Sequence, residues 1–478
     1  MTVSEEKQQS IQLRVNDVVM REGEWPCDAD LLGRQSEIEN LSPVLINAQA
    51  PLVFAIDAPW GGGKTTFIRL WQHYLALESQ NKVSLYLNAW ESDFAEDPLL
   101  PMLSTLDEWL KSQSSNSRAQ EAWESAKKYA PGILKSTAVA ATKAATFGAL
   151  DLDKEFEKLA VDLTGGVIGS IVDGFNVKQA SLIEFKKKLS VALEALPDDQ
   201  SNLIIFVDEL DRCKPTYAIE LLERIKHLFD IDRIVFVLAV NRDQLAKSLQ
   251  GVYGPSFDGC HYLKRFIDID YGLRRPGNEQ YINIQLRNSG LQHLLVSRGT
   301  QPGEIGAVQE TLKWAADRFE YNLRDIDQLM LRLQLIVRSI GPGHHRDVVI
   351  LLSLLILRQE NNALYRRFIA NPNHAGLVIE FICGGRFEES SPTDTTAVIA
   401  GWLLNACYDE HNPESHRALL QPWLQLRENL EADHPVQRPL STLIQIAMRE
   451  EFLRMRVDII KLAADRIELV EQIRFGGE

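Results

Sequence analysis

Cysteine is scarce: the chain has five in 478 residues, and no two stand in a CxxC pair. A disulfide scaffold and zinc modules of familiar spacing are thereby excluded. Long apolar runs are missing too. No stretch reaches the ~18 consecutive apolar residues that span a bilayer. The opening Met-Thr-Val-Ser-Glu-Glu-Lys lacks the basic start and apolar core of a signal peptide. Positive charge is in deficit, with 51 Lys and Arg against 66 Asp and Glu and a formal net charge of -15. That balance argues against nucleic acid as the primary partner, since phosphates are gripped by basic surfaces. The rest is ordinary for a folded chain: 45% hydrophobic and 24% charged. At about 100–200 residues per domain, two or three domains are expected, in a soluble protein of a reducing compartment.

Four apolar runs stand among helical segments, at Leu52–Ile56, Val83–Asn88, Leu203–Val207 and Ile234–Val240. The last two are apolar on both faces, as strands of a parallel sheet covered by helices on each side are. The fold class is read as α/β, a parallel sheet flanked by helices, with a helical insertion at about 92–198 and a helical C-terminal region. The insertion holds a charged helical stretch (Ser104–Ala130), a helix-breaking Pro131-Gly132, and two small-residue runs, Ser136–Leu150 and Val161–Phe175. Gly165 and Gly169 stand at GxxxG spacing, but charged residues such as Lys143 and Asp162 interrupt both runs. An amphipathic insertion packed on its own core fits this pattern. A site that docks a partner helix or touches a membrane surface is the alternative. Beyond Tyr271 the sequence reads as helical, with breaks at Gly341–Asp347 and Glu388–Asp394, a buried helix over Val348–Leu357, and a Ser/Thr-capped helix over Thr396–Ala406.

The chemistry concentrates in Ala58-Pro59-Trp60-Gly61-Gly62-Gly63-Lys64-Thr65-Thr66. This matches the phosphate-cradling pattern GxxxxGK[ST] at every fixed position except the first, where Ala58 replaces glycine. Three glycines let the backbone approach phosphate oxygens and turn its N–H groups inward. Lys64 supplies a point charge to the β- and γ-phosphates, and the Thr65 hydroxyl suits Mg²⁺. An apolar strand before and an amphipathic helix after are the context that pattern requires. The second element is Leu203–Val207 followed by Asp208, Glu209, Leu210, Asp211 and Arg212. An apolar strand ending in two acids brings the first carboxylate to the sheet edge where the loop lies. Asp208 is read as a Mg²⁺ ligand through water, and Glu209 as the group that orients or deprotonates an attacking water. Asp211 and Arg212 read either as an ion pair capping the turn or as catalytic groups. His344-His345 reads as a solvated turn, Cys213 as packing, and Lys186–Lys188 as a wet helix face.

Taken together, the loop with Trp60, the strand closing Leu-Asn88-Ala-Trp90-Glu, and Val-Asp208-Glu-Leu-Asp-Arg212-Cys-Lys-Pro215 resemble the KAP P-loop NTPases. So do Phe-Val-Leu-Ala-Val-Asn241-Arg-Asp-Gln-Leu245 and Tyr262-Leu-Lys-Arg265-Phe, and the resemblance runs from about Asp30 to Arg338. It implies domains at 1–27 (an arm), 28–285 (the NTPase core), 286–340 (a helical lid) and 341–478 (a C-terminal helical domain that matches nothing nameable). It implies nucleotide contacts from Gly33 and Arg34 near the base and ribose, and a sensor or arginine finger drawn from Arg212, Arg265 and Arg324. Asn241 stands where the family usually has Asp and is kept as a γ-phosphate or water sensor. Typical members carry membrane-spanning helices in the insertion, so short charged helices here imply a soluble or peripheral variant. The expected ligands are ATP and Mg²⁺, with ATP favoured over GTP because no Asn-Lys-x-Asp signature is present. The expected partners are other proteins of an operon-encoded or signalling assembly, with homo- or hetero-oligomers. The expected location is cytoplasmic, with peripheral contact to the inner membrane face as an option through the insertion. Two functional readings stay open: an ATPase that powers or gates a multi-protein assembly, in phage defence or stress response, and a nucleotide-gated scaffold with little hydrolysis.

Overall fold

The computed structural model describes residues 25–26, 30–78, 83–112, 116–134, 167–195, 202–274, 277–339, 348–390, 392–409, 411–449 and 459–472. They fall into two compact units that divide between residues 275 and 276. The N-terminal arm, the Ser136–Leu150 run and His344-His345 lie outside the described residues.

The first unit is built on a five-stranded sheet. The strands β1 (Leu52–Asp57), β2 (Ser84–Asn88), β3 (Leu203–Asp208), β4 (Ile234–Val240) and β5 (Ile269–Gly272) lie in the order β2-β3-β4-β1-β5, all pairings parallel. The first four coincide with the four apolar runs. The fifth was not legible as a run: Ile269-Asp270-Tyr271-Gly272 is short, polar and largely exposed at the edge beside β1.

Strand period explains the two-sided burial. Successive side chains point to opposite faces, so a strand buried on both sides must be apolar throughout. Along β1, Val53 and Ala55 join one core, and Phe54 and Ile56 join the other. The second of these cores is closed by α1 (Gln35–Ile46), through Ile38 and Leu45, and by α2 (Lys64–Glu78), through Phe67, Leu70, Trp71 and Leu75. The first is covered by the insertion helices α3 (Leu99–Ser112), α4 (Ser117–Lys127), α5 (Ala130–Ile133) and α6 (Val167–Glu194). The following helices α7 (Pro215–Leu228), α8 (Arg242–Tyr253) and α9 (Gly259–Leu263) complete it.

One expectation about the insertion is corrected. Leu99, Met102, Leu106, Trp123, Phe185 and Leu189 belong to the same cluster as Leu85, Leu87 and Ile205 of the sheet, so the insertion shares the sheet's core and does not pack only on itself. The helical stretch does break at Pro131-Gly132: α4 ends at Lys127, and only the four-residue α5 follows. Pro131 sits in the first turn of α5, where a missing N–H costs nothing. Gly132 lets α5 approach α6, since an added Cβ would lie 2.5 Å from Ser181 Oγ. Asp107 ties α3 to α4 beneath this surface: Lys127 Nζ (2.7 Å) and Trp123 Nε1 (2.8 Å) both reach its Oδ1. Lys111 reaches Oδ2 at 2.7 Å. Burial would raise the Asp107 carboxyl, but these three donors hold it below the ordinary carboxylate range.

The second unit is helical among its described residues. Val348–Leu357, the apolar run of ten, is buried inside the helix Val348–Glu360. The helix Asp394–Ala406 is capped by Thr393, whose hydroxyl accepts the Thr396 N–H. Among the described residues no helix is long and apolar enough to cross a membrane.

Candidate functional site

β1 leads straight into the glycine loop, and Ala58 N donates to Val240 O (3.2 Å), pinning the loop's start to the end of β4. Gly61 and Gly63 take φ of 75° and 82°, left-handed values that favour glycine. Gly62 has little room for a side chain. A Cβ there would lie 3.0 Å from Pro59 O and 3.1 Å from Ala58 Cβ. Ala58 has no positive φ, so its methyl causes no backbone strain and the departure from the pattern's first glycine is absorbed.

α2 begins at Lys64, which sets the positive end of its dipole on the loop. Thr65 is exposed and Thr66 half-buried in this first turn. The Lys64 ammonium is buried and lies back along the loop, donating to Ala58 O (2.8 Å) and Pro59 O (3.4 Å). Burial pushes its pKa down, while Asp211 and Asp208 pull the other way. The lysine therefore stands in the field of the acids at the end of β3.

Those acids are held by different neighbours. Asp208, 1% exposed, accepts Glu209 N through Oδ1 (2.8 Å) and the Tyr86 hydroxyl through Oδ2 (3.2 Å). The Arg69 guanidinium lies 3.5 Å from the Tyr86 ring centre. Burial, with Asp208 beside it, pushes the Tyr86 phenol far above its ordinary value. Glu209 adopts φ 60°, ψ 26°, a left-handed conformation that few non-glycine residues take. Its Oε1 pairs with Arg212 Nη1 (2.7 Å) and its Oε2 accepts from Asn88 Nδ2 (3.2 Å). Burial raises the Glu209 carboxyl and Arg212 opposes the rise. Asp211 does not pair with Arg212; it accepts from Trp60 Nε1 at 2.5 Å, a bond that joins the acid turn to the glycine loop. The ion pair of this turn is Glu209–Arg212, and Arg212 also lies 5.4 Å from the Trp90 ring centre.

The remaining sequence-derived residues sit as follows. Asn241 follows the last residue of β4 and caps α8, its Oδ1 accepting Gln244 N (3.2 Å). Arg265 is exposed and lies over Tyr262, 5.4 Å from its centre. Gly33 is exposed at φ 65°. Arg34, expected near base and ribose, is buried, with its guanidinium taken up by Glu37 Oε2 (2.6 Å) and Arg274 O (2.7 Å). Its role in the described structure is to brace the start of α1 against the chain beyond β5. Arg324 stands near the start of the helix Leu323–Ser339 in the other unit, where its charge acts on Asp327. Cys213 is buried and its thiol is pushed up to about 12, which suits packing and not nucleophilic attack.

Sequence reasoning missed Tyr86 and Asn88 as members of the site. Their spacing of two on β2 was the available signal, because it puts both side chains on one face. The register then sets Asn88 opposite Asp208.

A parallel sheet, a glycine loop opening a helix after β1, and an acid pair at the end of β3, with β4 between the two strands, define a P-loop domain. The chain belongs to the KAP family: the KAP family P-loop domain matches residues 34–340, well over half of it. It is also similar to the phage T7 exclusion protein of Escherichia coli (strain K12), 24% identical over 353 residues. That alignment covers 70% of this chain and 45% of the relative, so the chain spans less than half the length of the curated protein it matches.

Proposed function

We propose that the protein is a Mg²⁺-dependent nucleoside triphosphatase, with ATP the preferred substrate, whose cycle powers or gates a multi-protein assembly that excludes phage. The observation that carries this reading is the Trp60–Asp211 hydrogen bond, which joins the acid turn after β3 to a loop whose glycines take the left-handed conformations that a phosphate cradle uses. The similarity to a phage exclusion protein supports the setting. The acidic net charge and the cysteine usage support a cytoplasmic location.

The donors at the junction of loop and acids are hydroxyl and carboxylate oxygens, which suit a hard cation. Among the described residues no group of three or more His, Cys, Asp or Glu is placed to hold a metal alone. A Mg²⁺ held by Thr65 and, through water, by Asp208 would therefore share its positions with phosphate oxygens, where it offsets their charge when bound. Tyr86 and the Glu209 N–H fix the Asp208 carboxylate for that task. Lys64 exchanges its loop carbonyls for phosphate oxygens. Glu209 orients the attacking water and takes its proton, and Arg212 offsets charge that develops opposite it.

A second reading, a nucleotide-gated scaffold with little turnover, is favoured by one observation: both Glu209 oxygens are already engaged. Purified protein should hydrolyse ATP only with Mg²⁺, and Lys64→Ala should bring the rate to background. Binding of ATP without turnover in any condition would leave the scaffold reading; failure to bind nucleotide would sink both.

A further inference from the structure

We infer that Asn88 is a positioning residue that, with Arg212, latches Glu209 in a resting pose, so that hydrolysis waits on release of that carboxylate. This rests on the reading of Glu209 as the group that handles the attacking water.

Each carboxylate oxygen of Glu209 has its own donor, Arg212 Nη1 on Oε1 and Asn88 Nδ2 on Oε2. A carboxylate held on both oxygens, once by a full charge, is fixed in place and made a weaker base toward a water's proton. The two donors have a common support. Asn88 Oδ1 accepts the N–H groups of Trp90 (3.0 Å) and Glu91 (3.2 Å), and the Asn88 carbonyl accepts the Ser92 hydroxyl (2.8 Å). This turn aims the Asn88 amide at Glu209. Arg212 lies over the ring of Trp90, which is 49% exposed. One solvent-facing segment, residues 88–92, thus steadies both hands of the latch. The left-handed backbone of Glu209 completes the picture, since such strain persists only where the surroundings over-determine it. The Asn88 hydrogen bonds go to Glu209 and to its own turn, and none goes to the glycine loop or Lys64, so its loss should act on Glu209 and not on the nucleotide cradle.

The test replaces Asn88 by Ser, whose hydroxyl still accepts from the turn amides but cannot reach Glu209. Because Arg212 remains as the second donor, kcat for MgATP should rise by roughly 3–10-fold, a fraction of what a hydrogen bond to a charged group is worth. KM and the affinity for a non-hydrolysable ATP analogue should be unchanged. In a Glu209→Gln background the same substitution should leave the residual rate unaltered. Asn88→Asp keeps both turn bonds, sets a repelling oxygen against Glu209, and should move kcat in the same direction should the Ser variant fold poorly. An unchanged or lower kcat in variants that bind the analogue normally overturns the latch alone. An equal change in the Glu209→Gln background overturns it as well. Absence of analogue binding in the wild type overturns the functional reading, and the latch with it.

Discussion

Gly62 is the position where the glycine loop can be perturbed without touching charge. In Gly62→Ala the new methyl meets Pro59 O at 3.0 Å and Ala58 Cβ at 3.1 Å, closer than such atoms ordinarily stand. Gly62 N also donates to Pro59 O (3.1 Å), so the clash and the turn's own hydrogen bond involve the same carbonyl and cannot both be relieved by one small shift. Overpacking of this kind costs about 1–2 kcal/mol. The loop is half-exposed, and a phosphate cradle tolerates little shift of its N–H groups, so the cost should appear on binding, as a loss of roughly 5–30-fold in ATP affinity. Ala58 makes the test sharper. Ala58→Gly removes one of the two offending contacts, so the double variant should recover part of the loss, with a coupling of about 0.5–1 kcal/mol. Calorimetric titration of a non-hydrolysable ATP analogue into the four proteins reads both quantities, with thermal melts to confirm folding. Wild-type affinity in Gly62→Ala, or strict additivity in the double variant, would refute this account of the loop.

Two further predictions concern stability. Lys127→Met leaves the buried Asp107 carboxylate with Lys111 and Trp123 only, and should cost about 2–3 kcal/mol in denaturant unfolding of the first unit. Because the folded state holds Asp107 below its ordinary value, this contribution is present at neutral pH and should fade as pH falls through the acid range. Asp327 has the opposite sign. Burial raises its carboxyl to about 6, against the pull of Tyr281, Gln285 and Arg324, so the folded state holds the proton more tightly than the unfolded one. Stability should therefore decline as pH rises from about 4 to about 6. Asp327→Asn should flatten that segment of a melting-temperature profile, and an unchanged slope would remove Asp327 as its source.

Much of the sheet was legible because burial on both faces leaves continuous apolar runs, and β3 and β4 have no polar residue before their ends. β5 escaped because an exposed edge strand needs no such run; Asp268 and Asp270 flank its start, and only its ladder to β1 identifies it. The glycine loop and the acid pair were readable as local patterns of fixed spacing. What joins them was not. The Trp60–Asp211 bond, the Tyr86–Asp208 bond and the Asn88–Glu209 bond link residues far apart in sequence, and each depends on strand register. Arg34 was readable by residue type, but its bonds to Glu37 and to the Arg274 carbonyl, 240 residues on, were not.

The sharing of one hydrophobic core by the insertion and the sheet changes what kind of part the insertion is. Leu103, Leu106 and Phe185 reach the same interior as Leu85, Leu87 and Ile205, so excising α3 to α6 would strip one wall from the strands that carry Asp208 and Asn88. The inward faces of these helices answer to the sheet. Any force applied to the insertion is consequently delivered to β2 and β3, the two strands on which the acids and their holders stand.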